Sequence, residues 1–202
     1  MKKLRSGVYP VEQIRRATSL EKCASLEMVT GNPSNTNEPS VSAAHLAAAI
    51  GAVAAMDLGQ KEQICDRIHA EQPNLLASVL VLPRLKVSMQ TVEIVLNMMI
   101  VLTLAVDKSG QRLATVTEVD QERELQRLVA MMRFSEGLDA SSMAQSIQQT
   151  TAYRHESYLL AYVVDTLQCT GLAEIKDEAA KYPVLAAINL VNCIATARRL
   201  RS

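Results

Sequence analysis

Apolar side chains recur at every third or fourth position through most of this chain, and no window alternates apolar with polar residues for long enough to argue a sheet. Residues 11–28 place Val11, Ile14, Thr18, Cys23 and Leu26 near helical spacing, with Arg15, Arg16, Glu21 and Lys22 elsewhere, which predicts an amphipathic helix. Residues 31–40, GNPSNTNEPS, have nothing to bury and predict an exposed connection that limited proteolysis should nick first. From 41 to 58 the chain holds eight alanines, the strongest helix formers with the smallest side chains, and Gly59 is the expected stop. A second helix is expected over 61–71. Pro73 suits the first turn of a third, over 74–82, that Pro83 should end or kink.

Ser88 can cap a long helix reaching Val106 that is apolar on nearly every face and so belongs at the centre of a bundle. A turn over 107–115 follows. Thr117, with Asp120 three residues on, then resembles a capping pair for a helix over 118–136, where Leu125, Leu128, Val129 and Met132 form one stripe and Gly137 closes. Further helical patterns cover 141–149 and 153–168. Gly171 ends that section, a short helix is expected over 172–181 bounded by Pro183, and a last apolar helix over 184–200 finishes in Arg198, Arg199 and Arg201.

These elements predict an all-α fold: one compact multi-helix bundle of about six to eight helices in a single domain. Residues 1–30 carry the N-terminal helix, 31–40 a linker, 41–106 a first helical half, 107–117 a turn and 118–202 a second half. The division into halves follows from a faint self-similarity. Leu75, Leu76, Ala77 and Val79 match Leu159, Leu160, Ala161 and Val163, and Val92, Asn97 and Ala105 match Val184, Asn189 and Ala197. The two offsets, 84 and 92, differ by an eight-residue insertion, so the expectation is an internal duplication into two similar three-helix halves about a pseudo-twofold axis.

Composition narrows the function classes. At 202 residues the chain can bury its own core without disulfides or metal. With one Phe and no Trp, that core must be aliphatic. Lys plus Arg equals Asp plus Glu at 21 each, so no net field favours nucleic acid or an anionic membrane. Cys23, Cys65, Cys169 and Cys193 lack metal or redox spacing and read as reduced core thiols. Charges interrupt any apolar leader after the basic start, and the most apolar run, 94–106, is short of the ~20 residues a membrane span needs. The expected setting is the cytoplasm.

The chemistry-bearing motifs of dinucleotide, P-loop, zinc-protease, hydrolase and calcium-loop proteins are absent from the sequence, so no catalytic residue, metal ligand or cofactor is assigned. His45, His69 and His155 do not form a chelating pair by spacing, although the repeat sets His69 and His155 each before a Leu-Leu-Ala segment. Arg154 and His155 beside Tyr153 and Tyr158 read as ordinary surface. Asn97 and Glu93 lie at i, i+4 on the apolar central helix, and Asn189 sits at the repeat-equivalent position. A buried amide must find partners, so Asn97 and Asn189 are expected to face each other, setting register or, with Glu93, lining a small-ligand pocket. The methionines (Met89, Met98, Met99, Met131, Met132, Met143) read as core filler, with a partner groove as the alternative. The leading functional expectation is a non-enzymatic helical interaction or regulatory protein, a homo-oligomer acting through an apolar or Ala-rich helix face. The alternative is a small-molecule-binding bundle, or an enzyme of unrecognised type, around Glu93, Asn97 and Asn189.

Overall fold

A computed structural model describes residues 40–135, 156–174, 177–197 and 199–201. The expected helix over 11–28, the linker short of its last residue, Ser40, the Gly137 stop, the pattern over 141–149, and Cys23, Met143, Tyr153, Arg154 and His155 lie outside the described residues. Among the described residues seven α-helices dominate and 77% of positions are helical, with almost no strand, so the fold is an all-α multi-helix bundle. The helices are α1 (Ala43–Ala55), α2 (Leu58–Glu71), α3 (Pro73–Leu80), α4 (Met89–Lys108), α5 (Glu118–Ser135), α6 (Ser157–Cys169) and α7 (Lys181–Thr196). A 3-10 turn (Leu82–Leu85) links α3 to α4, and two short strands, β1 (Gln111–Leu113) and β2 (Arg199–Arg201), pair with each other.

Local chemistry sets most helix starts. Ser42 Oγ accepts the His45 amide while His45 Nδ1 accepts the Ser42 amide, closing a reciprocal cap on α1. Asp57 and Gln60 do the same for α2 at 2.8 and 3.0 Å. Ser88 accepts the Thr91 amide at the head of α4, and Thr117 with Asp120 form the cap of α5. Pro73 is the first residue of α3, where its missing N–H is no loss.

α4 is the axis of the bundle. Val92, Val95, Ala105, Val106 and the unbroken run Met98–Leu102 are buried in it, and α1, α2, α3 and α7 all pack on it. Each such large aliphatic side chain contributes about 1.5–3 kcal/mol on burial. By length and composition alone this helix could cross a bilayer, and half of its most apolar window is buried within the fold. α7 is the second inner helix, with Ala187, Leu190, Val191, Cys193 and Ile194 in the core, against α5 and α6.

Two buried polar side chains stitch remote segments together. Gln72, between α2 and α3, accepts the Val116 amide through Oε1 at 2.8 Å and donates through Nε2 to Ala114 O and Leu113 O. Glu156, just ahead of α6 and 1% exposed, accepts the Val41 amide at 3.2 Å and the Ser40 hydroxyl. In both cases the amide received is the one immediately before an N-cap residue.

Four sequence expectations need correction. The break after α1 falls at Met56, whose extended backbone (φ −76, ψ 138) hands over to the Asp57 cap, and Gly59 sits in the first turn of α2. Described residues between Gly171 and Ala180 form turns and bends rather than a helix, and Pro183 lies in the first turn of α7 rather than before it. The basic end does not prolong the last helix: Ala197 turns extended (φ −63, ψ 140) and β2 pairs antiparallel with β1. Cys193 is buried, but Cys169 is exposed and Cys65 half-buried, because each sits off the inner stripe of its helix.

The α3–α4 corner yields a direct test. Lys86 holds φ 65 at the end of the 3-10 turn, a left-handed conformation in which a Cβ is strained. Lys86→Gly is expected to raise unfolding stability by about 0.5–1 kcal/mol. A denaturant titration showing destabilisation instead would mean that the lysine side chain anchors the corner.

Candidate functional site

The residues singled out by the sequence do not converge. Glu93 is exposed on the outer flank of α4. Asn97, one turn further and half-buried, donates to Glu93 O at 3.0 Å and accepts from Lys61 Nζ at 3.2 Å, tying α4 to α2. Asn189 is buried on α7 and turns to α5, donating to Gln121 O at 3.4 Å. The two amides bond to different helices, so their expected pairing is not formed. The physical reason lies in α4 itself: it is apolar nearly all round, so its sequence does not say which flank α1, α3 and α7 leave open, and the Glu93–Asn97 flank is the open one. Asn189 persists inside for another reason, the polar character of the α5–α7 contact.

That contact is the most concentrated buried polar chemistry among the described residues. Glu124 presents a carboxylate only 5% exposed, and Oε1 accepts from Arg127 Nη1 at 2.9 Å and Arg123 Nε at 3.3 Å. Arg123 also bridges to Asp120 at 2.7 Å. The Thr117 cap and Arg123 hold the Asp120 carboxyl below its ordinary range. Across the seam stand Asn189, Asn192 and Cys193 of α7, all buried. Asn189 Oδ1 is buried with no hydrogen-bond partner. Burial first, then the Glu124 and Asp120 carboxylates, pushes the Cys193 thiol up to about 12.

The seam is chemically quiet. Glu124 is ion-paired with two guanidinium groups, and burial favours the thiol form of Cys193. His45 is committed to the α1 cap, and His69 is exposed at the end of α2. No group of three His, Cys, Asp or Glu side chains is gathered for a metal ion among the described residues. Two open surface hollows stand out among the described residues. One of about 400 Å³ runs along α5 beside Leu125 and Val129, and one of about 230 Å³ lies by the Arg67–Asp107 ion pair; neither is lined by Glu93, Asn97 or Asn189. Met98 and Met99 are core residues and Met89 stands alone at the exposed head of α4, so no methionine groove is built from them.

Sequence reasoning missed Glu124. A signal existed: it lies four residues before Leu128, on the inner stripe of α5, with arginines at the neighbouring position and three residues on. No family model matches the chain, and no curated protein or solved structure shows a significant similarity to it.

Two predictions arise from the seam. Asn189→Leu is expected to leave stability unchanged or raise it by about 1 kcal/mol, because it removes an unpartnered buried acceptor at the cost of one long hydrogen bond. A loss well beyond 1 kcal/mol on chemical denaturation would show that the amide has a partner of real strength. The second concerns alkali. Cys193 rises from 9.0 and Tyr162, pushed up by burial, from 10.0, each to about 12. The folded chain holds these protons more tightly than the unfolded chain, so their stabilisation is complete below pH 9 and is lost as pH climbs towards 12. Stability measured across that window should fall, and Cys193→Val should flatten the fall; a profile unaltered by that substitution would contradict the assignment.

Proposed function

We propose that this chain is a non-enzymatic helical interaction protein that self-associates through the outer face of α1. The observation that carries this reading is a surface helix without a charged side chain. α1 reads AAHLAAAIGAVAA, and its single polar residue, His45, is spent on the cap. Leu46, Ala49, Ile50 and Val53 face α4, while Ala44, Ala47, Ala48, Gly51, Ala54 and Ala55 are exposed. A helix that is apolar all round is normally buried on all sides, and among the described residues this one is covered on one side.

The chemistry of the face selects its partner. It has no hydrogen-bonding side chain, so it offers nothing to a polar ligand. Its side chains are methyl groups or hydrogen, so a second helix can approach closely, and a Cβ at Gly51 would meet no atom within 4 Å in the single chain. A second copy supplies a matching face of the same kind, related by a twofold axis. One helix of 13 residues is about 20 Å long, so the buried area falls at the small end of specific interfaces and the association is weak and reversible.

Sedimentation velocity over a range of concentrations tests this. The wild-type chain is expected to move from monomer to dimer in the micromolar range and above. Ala48→Glu places a charge on the exposed face without touching the core, so it should hold the chain monomeric with an unchanged melting temperature. A wild type that stays monomeric throughout, or a dimer indifferent to Ala48→Glu, contradicts the proposal.

A further inference from the structure

We infer that the described chain is a fused pseudo-dimer, two copies of one helical unit (40–113 and 115–201) related by a twofold axis and locked by a reciprocal pair of buried clasps. This stands independently of any association between chains. The helix starts keep step: Ala43 of α1 with Glu118 of α5, Pro73 of α3 with Ser157 of α6, and Met89 of α4 with Lys181 of α7. The offsets grow from 75 to 84 to 92, and the stretch that would correspond to α2 lies outside the described residues.

Asn97 and Asn189 differ in their surroundings, but other equivalent positions share theirs. Ala49 and Val53 are the buried residues of α1, and their counterparts Glu124 and Leu128 are buried on α5. Leu75, Leu76 and Val79 inside α3 answer to Leu159, Leu160 and Val163 inside α6, with Ala77 and Ala161 both outward. The packing is reciprocal as well: α1 lies on α4 and α5 on α7, while α1 touches α6 of the other copy and α5 touches α3. α4 packs on α7, and β1 pairs with β2 antiparallel about Arg112 and Leu200, the local arrangement that a twofold axis requires.

Similar helices rich in Ala, Leu and Val could agree by chance; the clasps could not easily do so. Ser40-Val41-Ser42 and Thr115-Val116-Thr117 are equivalent lead-ins, each with a buried valine before a capping hydroxyl. The Val116 amide is received by Gln72, one residue before α3, and the Val41 amide by Glu156, one residue before α6. Each copy thus uses the residue ahead of one of its own helices, α3 or α6, to grip the lead-in to the first helix of the other. The equivalence also shows where the copies have parted. Ala49, Ile100 and Val101 of the first correspond to Glu124, Asn192 and Cys193 of the second, so the polar seam belongs to one half alone. Outside, Ala47 and Gly51 correspond to Glu122 and Gln126, so the uncharged face of α1 has a polar counterpart on α5.

A twofold axis makes crossed distances equal, and this can be measured in the full chain. Ala47 and Glu122 are equivalent exposed sites, as are Ala77 and Ala161. Spin labels attached through bioorthogonal side chains, diluted with unlabelled protein, should give the same mean distance for the pair 47/161 as for the pair 122/77, within the label's own rotamer spread. Clearly different means overturn the symmetry. A second measurement addresses the clasps: Glu156→Gln, which installs the residue found at position 72, should keep the melting temperature near that of the wild type, whereas Glu156→Ala should lower it by several degrees. If Glu156→Gln is as damaging as Glu156→Ala, the clasps are not equivalent and the pseudo-dimer is rejected.

Discussion

The structure depends on the need to bury α4. A 20-residue helix with apolar residues on nearly every face cannot stay in water on its own, and α1, α2, α3 and α7 are arranged around it. The arrangement has a consequence for α1, which is uncharged over its whole length yet, among the described residues, packs mainly against this one helix. Covering α4 therefore leaves α1 with an apolar outer face, and that face is the feature from which the functional reading is built. α7 repeats the role of α4 on the other side, but the helix that covers it, α5, is charged on its outer surface and polar even at Glu124 within.

Buried polar groups decide how the helices are joined. Gln72 and Glu156 satisfy backbone amides that would otherwise be lost at the lead-ins to α5 and α1, and each unmet amide would cost about 1–3 kcal/mol. The Glu124 seam is different in kind. A buried ion pair seldom adds stability over a well-packed apolar contact, because desolvation offsets the attraction.

Much of the architecture was legible in the sequence because it rests on local chemistry. Ser88, Pro73 and the Thr117–Asp120 pair mark helix starts through bonds made within four residues, and the apolar run of α4 announces a central helix. What could not be read is non-local. The strand at 199–201 exists only because β1 is there to pair with it, and arginines after an apolar helix look the same whether the helix continues or stops. Met56, with no turn-forming residue of its own, breaks the chain because Asp57 offers a better cap than Gly59 offers a stop. The site residues failed for a rotational reason: on a helix apolar all round, the sequence gives no phase, so the outward flank of Asn97 and the inward setting of Asn189 were indistinguishable. Glu124 was concealed by its surroundings, one acid among many in a charged segment.

The most direct measurement of the central claim is amide hydrogen exchange followed by mass spectrometry at low and high protein concentration. The account predicts that α4 and α7 are protected equally at both concentrations, and that α1 alone gains protection as concentration rises, because its outer face becomes covered by a second chain. Exchange in α1 that does not change with concentration, or protection gained at α5 instead, would contradict it.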